Sequence, residues 1–338
     1  MYEQYFRLTE NPFRLTPDPR FLYITPKHRE CLSALVYGVL ARKGFLVVTG
    51  DAGTGKTTLI HTVLGMLSER KVDCAFIFHP LLEPEDFLEQ VLLDLGVNPP
   101  SRKKGDMLRA LHHFLLKRHE EGSTTALIVD EAHKLSTPLL EEIRLFSNLE
   151  TSTDKLLQIV LAGQTELDDL FRRDDLRQLK QRISIRTRLA PFNLQQTSDY
   201  VGHRLSVAGR NAVELFPAQT MPLIYQLSHG IPRIVNSICD NALLLAFAAQ
   251  AESVSMAMLR EVARDLDLGE IHIAAAGEKQ LQVEPEATPQ IEPQPEPPAE
   301  PEPATALDPS TSFRTLAAYG ERSGTMNMLT RWADKFRH

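Results

Sequence analysis

Eight residues, Gly50-Asp-Ala-Gly-Thr-Gly-Lys-Thr57, fit the pattern G-x-x-x-x-G-K-[ST] in full. The chemistry explains the spelling. Glycines let successive backbone N–H groups curl around phosphate oxygens, and the N-terminus of a following helix favours the same negative charge. Gly50, Asp51, Ala52, Gly53, Thr54, Gly55, Lys56, Thr57 and the adjoining Thr58 are therefore candidates for holding a nucleoside triphosphate. Lys56 is expected to reach the β- and γ-phosphates, and the Thr57 hydroxyl to ligate Mg²⁺. A glycine-rich turn without function is the alternative. The position of the loop, directly after an apolar run and before a helical pattern, argues against it.

Such a loop needs a second magnesium-side carboxylate at the end of a neighbouring strand. Asp130 stands there, after the apolar run Ala126-Leu-Ile-Val129. Glu131 follows at once, where a carboxylate could polarise an attacking water as general base. His133 stays open between coupling the site to a partner and filling a polar niche at a helix start. The run Asp130-Glu-Ala-His133 also spells the letters of a helicase motif. Helicases of that kind carry two tandem nucleotide cores. Here one core precedes a helical stretch and no second strand–helix series follows, so helicase activity is not expected.

Alternating elements must position these residues. Phe45–Thr49, Asp73–Phe78, Ala126–Asp130, Leu156–Ala162 and Ile183–Leu189 read as strands. Helical patterns fall over 27–42, 57–70, 84–95, 106–121, a stretch ending near Leu149, and a polar helix over 166–180. The expected fold is α/β, a P-loop parallel sheet flanked by helices. From Gln195 to about Leu268 only helical patterns remain, which predicts a small all-α lid. The first thirty residues, rich in proline and turn formers, predict an extended leader.

Charge is unevenly spread over the 338 residues, whose formal net charge is −7. Residues 277–310 carry eight acids and one lysine, and 281–310 hold nine of the 22 prolines, as in EPQPEPPAEPEP. That composition predicts a stiff, disordered acidic tail. Beyond it, Leu329, Trp332, Ala333 and Phe336 fall on one face of a short amphipathic helix. These shifts divide the chain into a leader (1–30), a core (31–192), a lid (193–270), a Pro-rich linker (271–310) and an amphipathic end (311–338). The near-neutral body is unlike the strongly basic footprint of an obligate nucleic-acid binder. Three scattered cysteines, no apolar signal segment and no membrane-length apolar run lead to an expected cytoplasmic location.

Three further positions carry polar groups to places where sheets bind ligands. Gln164 follows the strand ending at Ala162, as a contact to the chemistry or as a cap for the next helix. Arg182, and after it Arg186, lie between a helix and the last strand; the alternative is pairing with Asp174 or Asp175. Arg233, in Gly230-Ile-Pro-Arg233, sits where a turn and a helix start coincide, with a structural salt bridge as the alternative.

With these in hand, residues 1–270 resemble the general secretion pathway protein A family of bacterial AAA+ ATPases. The leader Tyr5-Phe-x-Leu…Asn-Pro-Phe-x-Leu-Thr-Pro-Asp-Pro-Arg-Phe-Leu-Tyr23 is the most specific part, joined by His28 and Glu30. GDAGTGKTT, LIVDEAHKLS, VLAGQTEL, LRQLKQRI and GIPRIVNSICDNAL follow in order. The resemblance implies ATP and Mg²⁺ as ligands, hydrolysis of ATP, and a homo-oligomer. It implies a first-sensor role for Gln164, an arginine finger acting in trans for Arg182 with Arg186 second, and a second-sensor role for Arg233. It further implies assembly of an envelope system (secretion, pilus or exopolysaccharide) from the cytoplasmic side, peripheral to the inner membrane through a partner. The chain departs from the family after residue 270, where a Pro/Glu segment stands in place of a membrane helix and a peptidoglycan-binding domain. Related ATPases assist transposition, which keeps an ATP-dependent DNA-associated switch as the alternative.

Overall fold

The computed structural model describes residues 1–16, 18–78 and 80–268. The linker and amphipathic end expected over 271–338 lie outside the described residues. The chain opens with a single helical turn, α1 (Tyr2–Tyr5), and a mostly irregular leader that includes a 3₁₀ turn at Pro19–Phe21. Helix α2 (Pro26–Leu40) begins at a proline in its first turn, and the Thr25 side chain accepts the His28 backbone N–H as its cap. Then come β1 (Phe45–Gly50), α3 (Lys56–Ser68), β2 (Val72–Ile77), α4 (Pro84–Asp94), α5 (Lys104–Glu120) and β3 (Thr124–Val129). They are followed by α6 (Thr137–Phe146), β4 (Leu157–Gly163), α7 (Glu166–Leu170), α8 (Arg177–Lys180) and β5 (Ile183–Leu189).

All strand pairings in the sheet are parallel, in the order β2-β3-β4-β1-β5. Alternate residues of each strand bury on opposite faces, as the pleat requires. Val47, Leu127 and Leu161 pack with Phe87, Leu111 and Leu140 under α4, α5 and α6. Leu46, Ile128 and Val160 pack with Leu35, Val39, Leu59 and Ile60 under α2 and α3. Burial on both faces is why the central strands read as continuous apolar runs.

The continuous helix expected over 166–180 is broken into α7, a 3₁₀ turn at Asp174–Leu176, and α8. Arg173 is extended (ψ 143°) and pairs with Asp175, and aspartates favour turns over helix interiors. The break also lets Leu167, Phe171, Leu176 and Leu179 all bury in one core, which a straight helix with that spacing would not do.

Beyond β5 the described chain is helical: α9 (Leu194–Val207), α10 (Ala212–Leu215), α11 (Met221–Ser228), α12 (Pro232–Ala248) and α13 (Met256–Asp265). Asn193 and Gln196 form a reciprocal cap at the start of α9. The leader is laid on these helices. Tyr2 and Asn11 both donate to Asp240 of α12, the Thr9 N–H donates to Ala208 O at 3.0 Å, and Phe13 meets Phe216 edge-on. Buried Arg204 donates to the carbonyls of Pro12 and Arg14 while lying over the Phe21 ring.

Candidate functional site

The strand order decides what can meet. Because β4 lies between β1 and β3, three carboxyl ends sit side by side: Gly50, Gly163–Gln164, and Asp130 just past Val129. The parallel sheet brings residues separated by more than a hundred positions to one crevice, where such sheets bind ligands.

The phosphate loop has the conformation that its glycines predict. Gly53 and Gly55 have φ of 79° and 94°, and Gly55 leads directly into α3. A Cβ at Gly50 would lie 2.7 Å from Leu189 O, and one at Gly53 would lie 2.7 Å from the Arg233 Cβ. Lys56, only 5% exposed, folds its ammonium over the loop and donates to Gly50 O at 2.9 Å and Asp51 O at 3.0 Å. Burial pulls its pKa below the usual lysine range, against the carboxylates of Glu131, Asp130, Asp51 and Glu166. A buried cation beside donor-lined backbone fits a polyphosphate.

The Thr57 hydroxyl donates to Asp130 Oδ2 at 2.7 Å, joining the loop to the end of β3. Asp130 is itself held, accepting the Glu131 N–H at 2.8 Å and donating its own N–H to Ile77 O. One hydroxyl and one carboxylate are the hard oxygen donors that Mg²⁺ takes while keeping water and phosphate oxygens for its other positions. Among the described residues no His, Cys, Asp and Glu cluster forms a closed metal site.

Glu131 occupies a left-handed backbone position, φ 53° and ψ 32°, unusual for a side chain of its kind. Burial opposes its ionisation, but Lys134, His133 and Gln164 together outweigh burial and hold the carboxyl below its ordinary range. Lys134 lies 3.3 Å from Oε2, and the Gln164 side-chain amide reaches the same oxygen at 3.5 Å. Gln164 thus faces the acids, and the cap position of α7 is taken by Thr165.

The arginines separate. Arg233 is exposed, beside the loop: its N–H donates to Gly53 O at 3.3 Å, and its guanidinium pairs with no carboxylate among the described residues. Arg186 is tied to Asp168, which also takes the Thr49 hydroxyl. Arg182 donates to Ser147 Oγ at 3.0 Å, away from Asp174 and Asp175. It precedes Ile183, which pairs with Phe45 at the start of β1, so the length of that strand, roughly 17 Å, separates it from this loop.

Two contacts were missed in the sequence. Lys134, three residues after Glu131, was visible only as a letter of LIVDEAHKLS, with no role assigned to it. His28 was visible only as part of the leader pattern, yet it is buried and shares a hydrogen bond of 2.8 Å between its Nδ1 and Thr25 Oγ1.

Residues 39–171 match the family model of the AAA domain. The chain carries an AAA domain. Around it, 259 residues are 39% identical to general secretion pathway protein A of Aeromonas hydrophila, covering 75% of this chain and 46% of that one. The chain therefore spans less than half the length of that relative. ATP-dependent target DNA activator B of Escherichia phage Mu is 27% identical over 272 residues, 79% of this chain and 78% of the other. Among solved structures, Cdc6p of Pyrobaculum aerophilum matches with a TM-score of 0.61 at 16% identity, over 76% of this chain and 71% of that one. That likeness concerns the fold. The chain is thus similar to general secretion pathway protein A, as its motifs led one to expect. No helix among its described residues is long and apolar enough to cross a membrane.

Proposed function

We propose that this protein binds and hydrolyses ATP, and that as a homo-oligomer it drives assembly of a bacterial envelope system. The observation that carries the hydrolase reading is the Thr57–Asp130 bond of 2.7 Å, with Glu131 and Gln164 beyond it. It ties the phosphate loop to the acids at the end of β3.

In this reading the loop amides and Lys56 bind the β- and γ-phosphates, and Arg233 closes on them from the lid. Thr57 and Asp130 are the residues that would hold Mg²⁺, which would supply charge neutralisation at the phosphate oxygens. Glu131 accepts a proton from the attacking water, and Gln164 orients that water. Arg182, remote from its own loop, serves the site of the next subunit, where a finger can be worth orders of magnitude in rate.

The envelope role is supported by the 39% identity to general secretion pathway protein A. We place the protein in the cytoplasm, reaching the inner membrane through an envelope partner. The second reading, an ATP-dependent switch on DNA, is supported by the resemblance to target DNA activator B across most of both chains.

The test is ATPase rate against protein concentration for wild type, Glu131→Gln and Arg182→Ala. Specific activity that rises with concentration, and is lost in both variants, supports a site completed between subunits. Flat activity and a silent Arg182→Ala would refute the trans finger. Tight duplex-DNA binding that falls steeply with salt would favour the second reading over the first.

A further inference from the structure

Three nitrogens approach one oxygen, Glu131 Oε2: Lys134 Nζ at 3.3 Å, His133 Nε2 at 3.5 Å and the Gln164 amide at 3.5 Å. His133 differs from the other two because its second ring nitrogen is also engaged. The backbone N–H of Gln164 donates to Nδ1 at 3.3 Å. A backbone N–H can only donate, so Nδ1 must be unprotonated, and the proton of the neutral ring sits on Nε2. Nε2 lies 3.5 Å from the Glu131 carboxylate, at the outer limit of hydrogen-bond reach.

The ring is seated for this. Its side chain is 11% exposed, against 30% for Glu131. Next to it, a Cβ at Gly163 would come within 3.1 Å of the His133 backbone nitrogen and 2.9 Å of Leu167 Cδ2, so the loop after β3 is pressed against the end of β4. Charged groups around the ring are Glu131 and Lys134 from its own loop, Glu166 from α7 and Lys56 from the phosphate loop. Burial is the leading influence among them and favours the neutral ring. Catalytic hydrogen bonds are often long before substrate binds and shorten in the complex.

We propose that His133 is a positioning residue for ATP hydrolysis, a neutral imidazole that ties the carboxylate of Glu131 to the backbone of Gln164. With Oε2 occupied, Oε1 is left to accept the proton of the attacking water. The strut makes the base and the Gln164 side chain move as one unit, so that a shift of β4 is felt by the base. It rests on the hydrolase reading above.

Two substitutions separate the two bonds. His133→Asn keeps an acceptor for the Gln164 N–H but cannot reach Glu131; His133→Gln keeps a donor toward Glu131 but loses the acceptor. In the full chain with ATP and Mg²⁺, kcat should fall about tenfold or more in His133→Asn, and KM should stay within about twofold, because the bond acts on the base and not on ATP binding. His133→Gln should lie between His133→Asn and wild type. Imidazole ¹⁵N spectra, with the His133 signals assigned by their loss in His133→Asn, should show protonated Nε2 and bare Nδ1. Glu131→Gln should move the Nε2 resonance. Full kcat in His133→Asn, or a ring protonated on Nδ1, overturns the proposal while leaving the hydrolase reading intact. A wild type that binds ATP without turning it over, with Nε2 still responding to Glu131→Gln, overturns the hydrolase reading and with it the catalytic task of the strut.

Discussion

The backbone N–H of Arg233 donates to the carbonyl of Gly53 at 3.3 Å, so the start of α12 rests directly on the phosphate loop. Nothing larger than glycine fits between them. With φ at 79° and a Cβ 2.7 Å from that of Arg233, Gly53→Ala is strained twice over. Expected results are a loss of about 1–3 kcal/mol of stability by urea unfolding and weaker binding of a fluorescent ATP analogue. Gly65→Ala, inside α3 and with nothing within 4 Å of the added Cβ, is the control: it should leave ATP-analogue binding unchanged and raise stability slightly, by about 0.4–1 kcal/mol.

Arg204 is 6% exposed and pairs with no carboxylate among the described residues; its donors go to Pro12 O, Arg14 O and the Tyr200 hydroxyl. Arg204→Met keeps an unbranched side chain but strands those acceptors. Unfolding should become easier by about 2–4 kcal/mol, a sum of buried unsatisfied groups. Limited proteolysis should cut within the first twenty residues sooner than in wild type. An unchanged cleavage pattern would contradict the leader's dependence on this guanidinium.

Stability should rise with pH through the histidine range. Burial holds His28 below its ordinary value near 6.5. Between the folded and unfolded values the unfolded chain binds more protons, so stability increases with pH there. The contribution is complete above about pH 6.5 and is lost as pH falls through the depressed folded value. His61, His133 and His203 are shifted in the same direction. His28→Asn should therefore flatten the urea-midpoint slope between pH 7.5 and 5.5 without abolishing it.

Asp130→Asn keeps an acceptor for Thr57 but removes the charge. Affinity for ATP measured without Mg²⁺ should hold, whereas the gain on adding Mg²⁺ should shrink by about 10–100-fold. Equal loss with and without the metal would point to a collapsed loop instead.

The chemistry was legible wherever it is written locally. Gly50–Thr57 and Asp130–Glu131 each spell their proposed task within a few residues, and four apolar runs with the alternating Ile183–Leu189 announce the strands. The leader's partners could not be read. Phe13, Phe21 and Tyr2 are buried against residues of α9 to α12 some two hundred positions away, and no local periodicity records that distance. The left-handed backbone of Glu131 and the tautomer of His133 were equally hidden, because each is imposed by a neighbouring strand end and not by its own sequence. The broken 166–180 helix shows the reverse, with polar composition suggesting a helix that four buried apolar side chains forbid.

The leader also sets an order of events in the cell. Tyr2 bonds Asp240, 238 positions later. At about 5–20 residues per second, a ribosome needs on the order of ten seconds or more after exposing Tyr2 before its partner exists. Through that interval Phe6, Phe13 and Phe21 have no surface to cover them. A segment made well before its partner is thus among the last to find its place, and a nascent chain should recruit chaperones at its aromatic leader until helices α9 to α12 emerge.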